Sequence, residues 1–184
     1  MARAYTECLA KVNGSSPPVA FLDELVDWGI DAPDEIFTQN PKADIYGSVS
    51  SQLGPYESTV YRKAVMLEVL RVLAGHESTW RWNKGVDAGK SAVNTLSNEE
   101  AGAFQCSADS MDFEASLKDL LQKTAGATDA ATFITTSKTN HAFAIEYCAR
   151  LLRFTTKHHG PIKHHHIHGH LKKAAASEFM TFLS

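Results

Sequence analysis

The longest apolar stretch in the chain runs from Tyr61 to Gly75. Ala64, Val65, Met66, Leu67, Val69, Leu70, Val72, Leu73 and Ala74 leave almost no polar face, as in a helix buried on all sides. Its β-branched residues also suit a strand, but its length and helix-forming neighbours favour helix. Gly75 reads as its C-terminal stop. Shorter patterns predict helices over Phe21–Trp28, Ala115–Lys123, Asn140–Phe154 and Leu171–Leu183. The third of these carries Ala142, Phe143, Ile145, Cys148, Leu151 and Leu152 on one side. Between them lie the breaker cluster Gly14 to Pro18, an irregular connection from Asp31 to Pro55, and a polar stretch from His76 to Glu99 that reads as loop or short hairpin. A Gly/Ala/Thr turn region follows Lys123, and Gly160-Pro161 breaks the chain near its end. The fold class that follows is mainly α, with little strand and no internal repeat.

A length of 184 residues favours one domain with a real core. A hydrophobic fraction of 43% and a charged fraction of 21% are ordinary for a globular protein. The net charge of -3 argues against a general nucleic-acid binder, which needs an excess of Lys and Arg to neutralise phosphates. No apolar run reaches the length of a membrane span. Residues 1–7 lack the apolar segment of a secretory signal, so export by another route is one expectation. Cys8, Cys106 and Cys148 are too few and too widely spaced for a disulfide framework, and read as buried or free thiols.

The candidate chemistry centres on Glu77, in His76-Glu77-Ser78-Thr79-Trp80-Arg81-Trp82. Burial, the negative end of the preceding helix and the indoles of Trp80 and Trp82 would all favour the protonated carboxyl that a proton donor needs. Glycoside hydrolysis also calls for a second carboxylate, and Asp87, Glu99 and Glu100 lie downstream in the same polar region. In Glu100-Ala101-Gly102-Ala103-Phe104-Gln105-Cys106-Ser107, the small residues would let backbone approach a ligand, and Gln105 and Ser107 can bond sugar hydroxyls. The plainer reading is a tight packing turn. Trp80, Trp82 and Phe104 could contact sugar rings, although large aromatics more often fill cores.

Seven of the nine histidines fall between His158 and His170. A dedicated metal site needs a fixed tetrahedral set, and no Cys or acidic residue accompanies this tract in sequence, so no metal and no cofactor are expected. Several motifs fail. His76-Glu77 does not continue to a second histidine, Gly89-Lys90-Ser91 lacks the leading glycine of a P-loop, and nothing local brings Cys106 to a base such as His141.

The run Glu77-Ser78-Thr79-Trp80 after a buried helix, followed by Glu100 to Ser107, resembles the lysozyme-like superfamily. It is nearer to goose-type lysozymes and soluble lytic transglycosylases, and closer still to type VI secretion glycoside hydrolase effectors. Ala64 to Gly75, Gly85-Val86-Asp87 and Gly160-Pro161-Ile162 look like the same group, so the likeness runs from about Ala32 onward. His76 and the His-rich tail depart from the pattern. The resemblance implies a lysozyme-like helical domain around the buried central helix, spanning 1–184, with 1–31 as an extension of that domain. It implies cleavage of the β-1,4 bonds of peptidoglycan, as a muramidase or N-acetylglucosaminidase. Glu77 would be the catalytic acid, Asp87 or Glu100 the supporting carboxylate, and Gln105 part of the sugar groove. It further implies an antibacterial toxin delivered by a secretion apparatus to the periplasm, and an immunity protein that occludes the groove. Nucleic acid and membrane are not expected partners. A lytic transglycosylase, needing only Glu77, and a non-catalytic glycan-binding module remain as alternatives.

Overall fold

The computed structural model describes residues 2–38, 44–85 and 95–183. Among these the architecture is helical, and the bridges Val12 to Ser15 and Ala101 to Cys106 are isolated pairs of residues. The longest α-helices are α1 (Val19–Asp31), α4 (Thr59–Glu77), α5 (Ala115–Ala125), α6 (Ala130–Thr139), α7 (His141–Phe154) and α9 (Lys173–Phe182). The short helices α2 (Ile45–Ser48), α3 (Ser50–Leu53) and α8 (Gly160–Lys163) occupy the connections. The described parts of the region after Asp31 thus include short turns of helix.

The sequence specifies α4 at both ends. Ser58 caps its start by accepting a hydrogen bond from the Tyr61 N–H at 3.1 Å. Every residue from Ala64 to Gly75 is buried, Glu68 and Arg71 included. α9 packs most extensively along α4, and α1 and α7 cover other faces.

The C-terminal end differs from expectation. Gly75 does not stop the helix, which continues to Glu77 with Ser78 as the cap. The glycine is required for packing instead: a Cβ there would lie 2.7 Å from Trp80 Cζ2 and 2.8 Å from Val12 Cβ. Termination comes from Thr79 and Trp80, both left-handed at φ 55° and 58°. The Trp80 N–H bonds back at 3.1 Å to the Ala74 carbonyl, which the Ser78 N–H also reaches, so the chain folds over the helix end.

α6 falls where a turn region reads from the sequence. Thr132, Thr135, Thr136 and Thr139 have weak helix propensity, but Asp129 caps the start, accepting from the Thr132 N–H at 3.0 Å. Phe133 is fully buried against Phe143 and Tyr147 of α7. The N-terminal segment also joins the core. Tyr5, Cys8 and Val12 are buried in the same apolar cluster as α4, and Glu178 of α9 accepts from the Thr6 and Cys8 N–H groups, each at 2.8 Å.

Candidate functional site

Glu77 is the last residue of α4, so its side chain leaves the core where the helix surfaces. Its side chain is 18% exposed, and Oε1 lies 3.6 Å from Nδ1 of His159. Among the described residues this is the only ion pair Glu77 makes. The indoles expected to wall it are both engaged in packing. Trp80 folds back on the helix end, 4% exposed, and donates its indole N–H to the Arg71 carbonyl at 2.8 Å.

His159 sits between α7 and α8 and is 3% exposed. Its Nε2 lies 3.7 Å from Cys106 Sγ and 3.8 Å from Cys148 Sγ. Burial opposes charge on this ring, but Cys106 and Glu77 outweigh it and push His159 up to about 9. The hydrogen bond from Cys148 holds the Cys106 thiol below its ordinary range against burial, and the His159 imidazolium helps. Burial first, then Cys106, pushes Cys148 up. His141, which no local pattern joins to Cys106, bonds Glu24 and stacks on Trp82, ring centroids 4.1 Å apart.

His158 is half-buried and pulled down to about 4 by burial and by His159, while Asp109, Glu100 and Glu77 act the other way. The charges of Glu77 and Glu100 thus both favour the protonated His158 ring. Asp87, the third nominated carboxylate, lies outside the described residues. A cavity of about 460 Å³ opens beside His158, lined by Asp109, Asp112, Phe113 and Lys157 as well. That volume lies within the range of small-molecule sites. A second cavity of about 420 Å³, between α1 and α7, is lined by Glu24, Asp27, Trp28 and Glu146 among others and shares none of these residues.

The nominated sugar contacts fare unevenly. Phe104 is 2% exposed and packs on Phe21 and Trp82, so it presents no free ring face. Trp82 is half-buried with one face covered by His141. Gln105 is 4% exposed, left-handed at φ 50°, and donates from Nε2 to the Gly102 carbonyl at 2.9 Å. Ser107 is buried and donates to Asp109. Gly102, at φ 74°, has no room for a Cβ because the Ser137 carbonyl of α6 would lie 2.5 Å away. The close approach that this run permits is to the chain's own backbone, so Ala101 to Cys106 is the tight packing turn. It sets Cys106 beside His159.

Two features were not legible beforehand. Phe113, 49% exposed, is the aromatic that edges the cavity, and Asp109 and Asp112 are acidic groups in its wall. Their only sequence signal is an acidic, aromatic run just after the Gly102 turn. The metal reading also changes. A cysteine does accompany the histidine tract, because the fold places donor atoms of Cys106, His158 and His159 within 4.8 Å of one another.

No family model matches the chain, and neither the curated proteins nor the solved structures compared with it give a match. Among the described residues, no helix is long and apolar enough to cross a membrane.

Proposed function

We propose that this chain hydrolyses the β-1,4-linked glycan strands of peptidoglycan, with Glu77 as the proton donor. The observation that carries this reading is the position of Glu77: a mostly buried carboxyl at a helix end, paired among the described residues with the His159 imidazole alone. The likeness in sequence to lysozyme-like enzymes assigns the acid role to the same residue.

In this mechanism the bond from the anomeric carbon to the bridging oxygen breaks as that oxygen takes the proton of Glu77. A water oxygen bonds the anomeric carbon, and its proton passes to Glu100. The exposed ring of Phe113, beside acidic Asp109 and Asp112, offers a sugar a stacking face with hydrogen-bond acceptors nearby.

The substrate lies outside the cytoplasmic membrane of bacteria. The reading therefore includes action in the periplasm of a target cell, delivery by a type VI apparatus and a cognate immunity protein. Periplasm-directed expression should lyse cells, and cytoplasmic expression should not. The enzymatic test uses purified sacculi. Wild type should release fragments with reducing ends, and Glu77→Gln should lose about 10²–10⁴-fold in rate. Anhydro ends would replace hydrolysis with transglycosylation. Binding to sacculi without any cleavage would reject the enzyme.

A further inference from the structure

We propose that Cys106, Cys148, His158 and His159 form a binding site for one thiophilic divalent metal ion, zinc before others, with Glu77 orienting His159. The site does not depend on glycan cleavage.

Geometry carries the case. Nε2 of His159 is 3.7 Å from Cys106 Sγ and 3.8 Å from Cys148 Sγ. Zinc–sulfur and zinc–nitrogen bonds of about 2.3 and 2.0–2.1 Å at a tetrahedral angle place two such donors about 3.6 Å apart. Both sulfurs thus stand at a coordination edge from the same nitrogen. His158 supplies a further donor, since donor atoms of Cys106, His158 and His159 all lie within 4.8 Å of one another, while Cys148 joins through its contact with His159. The four residues come from three places: the Gly102 turn, α7 and the segment before α8. An ion there would tie the C-terminal region to the core.

The second nitrogen of His159 strengthens the reading. Nδ1 faces Glu77 at 3.6 Å while Nε2 faces the sulfurs. A carboxylate on one imidazole nitrogen fixes the tautomer and turns the other toward a metal. The same chain of contacts could describe a cysteine nucleophile with its base. However, Cys106 and His159 are 4% and 3% exposed, so no substrate carbonyl reaches the sulfur. An ion can enter, because His158 is half-buried and lines the 460 Å³ cavity. Buried cysteines alone are ordinary packing residues. Two sulfurs converging on one imidazole nitrogen that is backed by a carboxylate are not.

The exposed histidines His164, His165 and His166 could take up metal by themselves, so the test must report sulfur ligation. Reduced, metal-free full-length protein is titrated with Co²⁺. The expected result is one equivalent bound, with the d–d bands of tetrahedral cobalt and a thiolate-to-cobalt charge-transfer band, all displaced by Zn²⁺. Cys106→Ser and Cys148→Ser should each remove or deplete the charge-transfer band. A triple His164→Ala, His165→Ala, His166→Ala variant should keep it. Glu77→Gln should weaken binding about 10–100-fold while retaining the band. Cobalt binding to wild type without a charge-transfer band, or a band unchanged in Cys106→Ser, overturns the site. The wild-type spectrum decides even where a cysteine variant fails to fold.

Discussion

Helix α4 carries two carboxylates nine positions apart, and they live in opposite circumstances. Glu68 is fully buried and accepts three hydrogen bonds. Arg71 donates to it from Nε at 2.6 Å and from Nη2 at 2.7 Å, and the Lys172 N–H at the start of α9 donates at 2.8 Å. Arg71 in turn donates to the Ala10 carbonyl at 2.8 Å. Burial pushes the Glu68 carboxyl up, and Arg71 and Lys172 pull it back. Glu77 has one ion-pair partner among the described residues, an imidazole 3.6 Å away, and is 18% exposed. A buried ion pair whose carboxylate accepts three hydrogen bonds locks three chain segments together and leaves little room for a ligand. A carboxylate with spare capacity at the end of the same helix is where chemistry can be placed. The difference lies in the partners, since the residue type and the helix are the same.

The largest expected effect breaks the buried pair. Arg71→Ala leaves an uncompensated charge in the core and should cost about 3–5 kcal/mol, read as a denaturation midpoint far below wild type. Glu77 variants should show no comparable loss. Next comes the helix end between the two groups. Gly75→Ala drives a methyl into Trp80 and Val12 and should cost about 1–3 kcal/mol, measured by chemical unfolding. That change also shifts the turn that carries Glu77, so its activity should fall beyond what stability explains.

A smaller effect concerns the anchor between the N-terminal segment and α9. Burial disfavours the charged form of Glu178, but the Cys8 N–H and thiol and the Thr6 and Glu7 N–H groups outweigh it and hold the carboxyl below its ordinary value of 4.5. A depressed carboxyl contributes stability above its unfolded value, and that contribution disappears as pH falls through the folded one. Glu178→Gln should therefore cost about 1 kcal/mol at neutral pH, with the gap to wild type closing below pH 4.5. The smallest stability change belongs to Phe113→Ala, within about 0.5 kcal/mol because the ring is exposed. On sacculi it should raise KM several-fold with little change in kcat, which separates a binding face from a structural one.

Much of the fold is written in local pattern. α4, α5, α7 and α9 follow from apolar periodicity and capping residues, with ends displaced by only a few positions. α6 does not, because its threonines hide a helix that Phe133 and the Asp129 cap secure through tertiary contact. The site divides the same way. Glu77 stands out in the sequence because a polar motif follows a uniformly apolar helix. Its partners do not, because the Cys106–His159 contact spans 53 positions and no local rule joins them. Trp80 and Phe104 looked like ligand contacts for the reason that buries them, their large apolar surface, while Phe113 carried no comparable signal.

The contrast within α4 is tested most directly by comparing Glu77→Gln with Glu68→Gln. Each variant is assayed for unfolding free energy and for cleavage of sacculi per folded molecule. The account predicts that Glu77→Gln stays within about 1 kcal/mol of wild type in stability and loses at least about 100-fold in rate, while Glu68→Gln loses stability and keeps its rate per folded molecule. Wild-type cleavage by Glu77→Gln, in a protein that hydrolyses glycan, would contradict it.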